Sequence, residues 1–296
     1  MNKRILSFFI CLLLGSVNIY AQTDVGDEKT VIAFFNGMIN TKRDAKKSLE
    51  YLKKFYGETA PNGDKIRYEL LYNKTFGLFE DLIEVFEQRT AELEYKSIQN
   101  RYELFFDIVN GDGPWHKWAS DTMSGYKSMS DKMSADFLGL VITKTKESLS
   151  NSETEADYAE HRRKIDSWAD EGKKLLFIAH SQGNLFVNVA YEHTKDRVGE
   201  QSVKVIHLAP VSVKTNGIHI LADKDYVAAG LSWFSFLLGG VPEVTHDIPY
   251  YIFRPAGANG KKDILGHGFV EIYINSYLNI SQVLKKYIDT ALDSLS

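Results

Sequence analysis

The sequence predicts an α/β protein with a doubly wound, mostly parallel sheet, and three observations carry that reading. Short apolar runs alternate with segments of helical periodicity along most of the chain, the pattern of strands joined by crossover helices. The first three elements run strand, helix, strand, which is how a parallel sheet with right-handed connections begins. Near the middle, Lys174-Leu175-Leu176-Phe177-Ile178 is apolar enough for a central strand buried on both faces. It passes through Ala179-His180-Ser181-Gln182-Gly183 into a helix with Leu185 and Val189 on its buried side.

The elements follow in order. A polar lead from Gln22 to Lys29 precedes a strand from Thr30 to Phe35, which ends in Asn36-Gly37-Met38-Ile39-Asn40. Thr41 and Asp44 form a capping pair for a helix whose Ala45, Leu49, Leu52 and Tyr56 share one face. Ile66, Tyr68, Leu70 and Tyr72 alternate as a second strand, closed from Asn73 to Gly77. Leu78 to Ser150 is longer than any connecting helix requires and reads as a helical insertion, broken at Gly111-Asp112-Gly113-Pro114. Past that break lie Trp115, Trp118, Met123, Met129 and Met133. A polarizable cluster of this kind suits a lid over an apolar ligand, and equally the packing of a small helical subdomain.

A helix from about Ala156 to Ala169, with Tyr158, His161, Ile165 and Trp168 on one side, returns the chain to the sheet and stops at Gly172. Val203 to Leu208, Gly217 to Leu221 and Ile248 to Phe253 are three further predicted strands. Helices from about Phe269 and Ser281 close the domain.

The N-terminus orders a charged Met1-Asn2-Lys3-Arg4, an apolar run from Ile5 to Leu14 and small residues up to Ala21, as an export signal does. Cleavage after Ala21 would leave residues 22–296 as one large domain in the periplasm or outside the cell. The only cysteine, Cys11, lies inside that signal, so the mature chain would have neither thiol nor disulfide. With Lys3 and Arg4 removed, 33 basic residues face 39 acidic ones, a formal charge of −6. A mildly acidic chain without basic clusters argues against a nucleic-acid partner.

A serine on a sharp strand-to-helix turn, with small residues two before and two after it, is how a hydroxyl is presented as a nucleophile. Ala179-His180-Ser181-Gln182-Gly183 resembles the nucleophile elbow of the α/β-hydrolase family, in the lipase-like version whose first glycine is alanine. That resemblance implies the α/β-hydrolase fold and a triad in the chain order serine, acid, histidine, with the acid after one later strand and the histidine after the next.

Ser181 is then the nucleophile, and its alternative is a turn serine capping the helix that follows. His267, in Gly266-His267-Gly268-Phe269, stands where the family's base belongs; His246 is the other late histidine, placed before the predicted Ile248 strand. His180, adjacent to the serine, points away across the turn and packs. For the acid, Asp225 and Asp223 both follow the Gly217 to Leu221 strand. The family's habit of setting the acid shortly before an apolar residue favours Asp225, and the other aspartate could cap a helix or pair with Lys224. The family's oxyanion hole implies the backbone amides of Gln182 and Met38, with Asn36 where a histidine is usual.

No metal-ligand spacing and no phosphate-cradling glycine loop appears, so no cofactor is expected. The expected function is hydrolysis of carboxylic esters, with thioesters and amides open to the same chemistry. An apolar or lipid-like acyl group is suggested by the Trp and Met insertion and by Ala228 to Gly240, a nearly continuous apolar stretch that could line an acyl pocket, touch a membrane surface or form a buried core helix. The contrasting reading is an exported binding protein that keeps the scaffold without turnover.

Overall fold

The structure, a computed structural model, describes residues 28–37, 40–74, 152–210, 215–225, 227–228, 245–263 and 265–296, with positions 117, 120, 121 and 127 in addition. The segment expected to be an export signal, Met38, residues 229–240 of the apolar stretch and the expected insertion apart from those four positions lie outside the described residues.

Five parallel strands and a two-residue sixth form the sheet: β1 (Glu28–Phe35), β2 (Lys65–Leu71), β3 (Lys174–His180), β4 (Val203–Leu208), β5 (Ile218–Ala222) and β6 (Thr245–His246), in the order β2-β1-β3-β4-β5-β6. Every paired neighbour runs parallel, with Phe35 level with Leu71 on one side and with Ala179 on the other. β3 is central because nothing in Leu175-Leu176-Phe177-Ile178-Ala179 needs water, and all five residues are fully buried.

Alternation of side chains sends Val31, Ala33 and Phe35 to one face of the sheet and Ile32 and Phe34 to the other. Helices cover both. On the first face lie α2 (Ser152–Asp170) and α3 (Gly183–Val198), through Tyr158, Ile165, Trp168, Phe186 and Ala190. On the second lie α1 (Lys42–Tyr56) and α4 (Asn279–Asp293), through Leu49, Leu52, Leu284 and Ile288. At roughly 1.5–3 kcal/mol per buried large aliphatic or aromatic side chain, these two layers supply the main drive to fold. This is an α/β fold compatible with double winding.

α1 begins where its sequence says it should, for Thr41 accepts the Asp44 amide at 3.2 Å and its hydroxyl donates to the Asp44 carboxylate at 2.6 Å. Other elements differ from expectation. The run Ile248 to Phe253 is not a strand: β6 ends before it, residues Tyr251–Phe253 make a short 3-10 turn, and Ile252 and Phe253 are 63% and 72% exposed. Pro249, with no amide to donate to a ladder, interrupts any pairing there. The helix expected from about Phe269 is a single five-residue π-helix, Phe269–Tyr273, and α4 begins at Asn279. On α3 the buried side is Phe186, Val187, Ala190 and Tyr191, and Val189 is 40% exposed.

The chain winds from β1 outward to β2, then returns to the other side of β1 and continues outward from β3. The carboxyl ends of β1 and β3 therefore border the switch point where parallel sheets open a crevice.

Candidate functional site

Ser181 follows directly on β3 and has a φ of 53°, a left-handed conformation that costs an ordinary residue on the order of 1–3 kcal/mol. The surroundings hold it there. Its amide donates to Leu208 O at 3.0 Å, and its carbonyl accepts Asn184 Nδ2 at 2.8 Å. Asn184 is itself fixed, since its Nδ2 also donates to Leu208 O and its Oδ1 accepts Nδ1–H of the buried His207 at 2.8 Å. Gly183 is required by contact: a methyl group there would lie 2.6 Å from Phe35 O. A tight strand-turn-helix is thus what these five residues form.

Three side chains from separate loops then meet. His267 Nε2 is 2.7 Å from Ser181 Oγ, and its Nδ1 is 2.8 and 3.0 Å from the two oxygens of Asp225. A carboxylate only accepts, so Nδ1 carries the proton and Nε2 is left to accept the serine hydroxyl. Asp225 is fully buried and receives two further donors, Tyr273 Oη–H at 2.6 Å and the Ala228 amide at 2.8 Å. The carboxylate is fixed in position.

The loop carrying His267 is shaped by Asp263, whose carboxylate accepts the amides of Leu265 at 3.0 Å, His267 at 2.5 Å and Gly268 at 2.6 Å. Gly266, at φ 69°, lets the loop pass directly against Lys224 O, where a side chain would collide. The buried Arg254 joins the same loops from behind, donating to Pro249 O at 2.7 Å and Asp263 O at 2.9 Å. His180 packs, as its sequence position suggests, and also pins the base: its Nε2–H donates to His267 O at 2.7 Å, and the two rings are 5.0 Å apart. Burial, with His267 beside it, pushes the His180 imidazole well below its ordinary value and keeps it neutral.

The remaining candidates take other places. Asp223 does not reach His267; it pairs with Lys224 at 2.5 Å and accepts the Ile248 amide at 2.8 Å, tying β5 to the segment after β6. His246 ends β6, where its carbonyl accepts the Asp223 amide. Gln182 directly follows Ser181 and precedes the 16-residue α3, whose N-terminal end favours a negative charge. Met38 is outside the described residues, yet Gly37 before it comes against the turn, so close that a methyl group on it would lie 3.1 Å from Ser181 Cβ. Asn36, in place of a histidine, spends its side chain on structure: Nδ2 donates to Asn73 O at 2.9 Å and Oδ1 accepts the Asn73 amide at 3.0 Å, which joins the ends of β1 and β2.

Sequence reasoning missed Tyr273, Asp263 and Arg254. Asp263 had a local signal, an aspartate four residues before the histidine in a glycine-bearing loop. Tyr273 had none, because only the π-helical turn brings it back to Asp225.

Desolvation alone would lower the His267 pKa, but the Asp225 charge and hydrogen bond, with Asp263 adding to them, hold it above the ordinary imidazole value. A base must be neutral to accept a proton. If the site turns over a substrate, activity is therefore full above the His267 pKa and falls as pH drops through it. The acid limb of kcat/KM should have its midpoint above about 6.5, and Asp263→Asn should move it downward; a limb centred below 6 would contradict this.

Tyr273→Phe removes one of three donors to a buried carboxylate and should cost roughly 1.5–3 kcal/mol of stability, read by denaturant unfolding. Loss below 0.5 kcal/mol, on that same general scale, would mean the hydroxyl is dispensable to Asp225.

Comparison of the chain with protein-family models, with curated proteins and with solved structures finds no match.

Proposed function

We propose that this chain is a serine hydrolase of carboxylic esters on an α/β-hydrolase scaffold. The observation that carries the reading is the hydrogen-bonded chain from Ser181 through His267 to Asp225, set on a strained turn at the switch point of the sheet.

Ser181 Oγ attacks the ester carbonyl carbon while His267 Nε2 takes the hydroxyl proton, and Asp225 stabilises the imidazolium formed. The tetrahedral oxyanion faces the Gln182 amide at the start of α3, and the resemblance implies the Met38 amide as its second donor. Collapse of the intermediate expels the alcohol, which receives the proton from His267. Water then attacks the acyl-serine with His267 again as base, releasing the acid and restoring the serine. The sequence needs no metal and no organic cofactor.

A binding protein would gain nothing from a serine held at positive φ against an imidazole, or from a buried carboxylate aimed at that imidazole. This favours turnover over the non-catalytic reading. Thioesters and amides pass through the same kind of intermediate, and the amide is the most demanding of the three because its amine is the poorest leaving group. An apolar or lipid-like acyl group remains part of the proposal, resting on the tryptophans and methionines of the insertion and on the stretch from Ala228.

A series of p-nitrophenyl esters from acetate to long acyl chains tests it. The expected result is a burst of nitrophenol stoichiometric with enzyme, followed by slower steady release. Rates no greater for the wild type than for Ser181→Ala across the series would overturn the proposal.

A further inference from the structure

A cavity of about 660 Å³ opens beside the His267 ring, between α1 and the loop from Asn259 to Glu271. Its α1 wall is Asp44, Lys47, Ser48 and Tyr51, positions spaced to share one face of a helix. The facing wall includes Lys261, Lys262, Asp263 and Glu271. Phe34, Leu265, Phe269 and Val270 line it as well, so charged side chains share this cavity with apolar ones.

The formal charges balance, but their partners do not. Asp263 is turned onto three backbone amides, Glu271 accepts Asn259 Nδ2 at 2.6 Å, and Asp44 accepts the Thr41 hydroxyl. Lys47 and Lys261 form no ion pair and no side-chain hydrogen bond among the described residues. Carboxylates already met by amide or hydroxyl donors, beside two exposed lysines with no ion pair among the described residues, leave a concave site that can offer cations to a ligand.

The side of the serine matters too. His267 hands its proton to the departing alcohol, so of a substrate's two parts the alcohol is the one that a cavity lined by His267 would receive. From this we infer that the substrate's alcohol part carries an anionic group, a phosphate or a carboxylate, received between Lys47 and Lys261. The inference rests on the ester-hydrolase reading above and narrows it.

The test compares 1-butyryl-glycerol 3-phosphate with 1-butyryl-glycerol, which differ only in the phosphate, and butyryl lactate with ethyl butyrate, which differ in a carboxylate. Release of butyrate gives kcat/KM for each, and the ratio of anionic to neutral ester cancels any loss of folded protein. That ratio should exceed about ten, a charge-assisted contact's worth. It should fall roughly three- to tenfold in Lys47→Gln and in Lys261→Gln, and should shrink at 0.5 M salt, on the order expected for partly exposed charges. Lys285→Gln, exposed on α4, should leave it unchanged.

A preference for the phosphate pair alone, or the carboxylate pair alone, identifies which anion is received and supports the inference. Neutral esters cleaved as well as anionic ones, or a ratio indifferent to Lys47→Gln plus Lys261→Gln, would overturn it while leaving the hydrolase reading intact. No turnover of any of the four esters would overturn both.

Discussion

Ser181→Ala and His267→Ala are each expected to lower ester turnover by about a million-fold, and the double variant to be no worse than either alone. The reason is that the two side chains act as one unit. A serine hydroxyl is a weak nucleophile unless a base removes its proton as it attacks, and the 2.7 Å contact supplies that base. Without His267 the hydroxyl remains but is not activated; without Ser181 the imidazole has nothing to activate. Ser181→Ala removes only a hydroxyl, while His267→Ala removes a buried ring and one of three donors to Asp225, so near-UV circular dichroism checks that both variants fold. Additive losses, or a His267→Ala enzyme within a hundredfold of wild type, would mean that the two do not work together.

The second large effect separates the two aspartates. Asp225→Asn should lower turnover by roughly ten-thousand-fold, because all three groups that meet the carboxylate are donors. An amide replaces one accepting oxygen by an NH2, so a donor would face a donor. The imidazole escapes by moving its proton to Nε2, where it can no longer accept from serine. Asp223→Asn should remain within about tenfold, since its Oδ1 still accepts the Ile248 amide and only a partly exposed pair with Lys224 is lost, worth at most about 1 kcal/mol. Steady-state kinetics of the two variants side by side decides between them. A crippled Asp223→Asn with a healthy Asp225→Asn would reverse the assignment.

The parts of this fold that could be read from the sequence are those in which local chemistry and burial agree. β3 announces itself by five consecutive apolar residues, α1 by its Thr41 cap and its single apolar face, and the turn at Ser181 by Ala179 and Gly183. Ser181 and Asp225 were legible because each closely follows a strand of the parallel sheet, whereas His267 comes well after β6 and was reached through the chain order that the resemblance implies, not through the strand expected at Ile248. The failures have the opposite cause. Ile248 to Phe253 has the composition of a strand, but Pro249 interrupts it and Tyr250, Ile252 and Phe253 face water. Between Asp223 and Asp225 the sequence offered only the resemblance's habit of setting the acid before an apolar residue, which favoured Asp225; the placement of the His267 loop, set by Asp263, Gly266 and Arg254, is what brings Asp225 to the imidazole. Tyr273 is six residues past His267, and no helical or strand period would bring it to Asp225.

The central claim is that Ser181 is an activated nucleophile, and covalent labelling by a fluorophosphonate tests it without knowledge of the substrate. Serine oxygen displaces fluoride from phosphorus only when a neighbouring base takes its proton, so an ordinary turn serine does not react. The account predicts a single adduct, mapped by peptide mass spectrometry to the segment containing Ser181, absent from Ser181→Ala and nearly absent from His267→Ala. An unlabelled wild-type protein, or an adduct that survives Ser181→Ala, would contradict it.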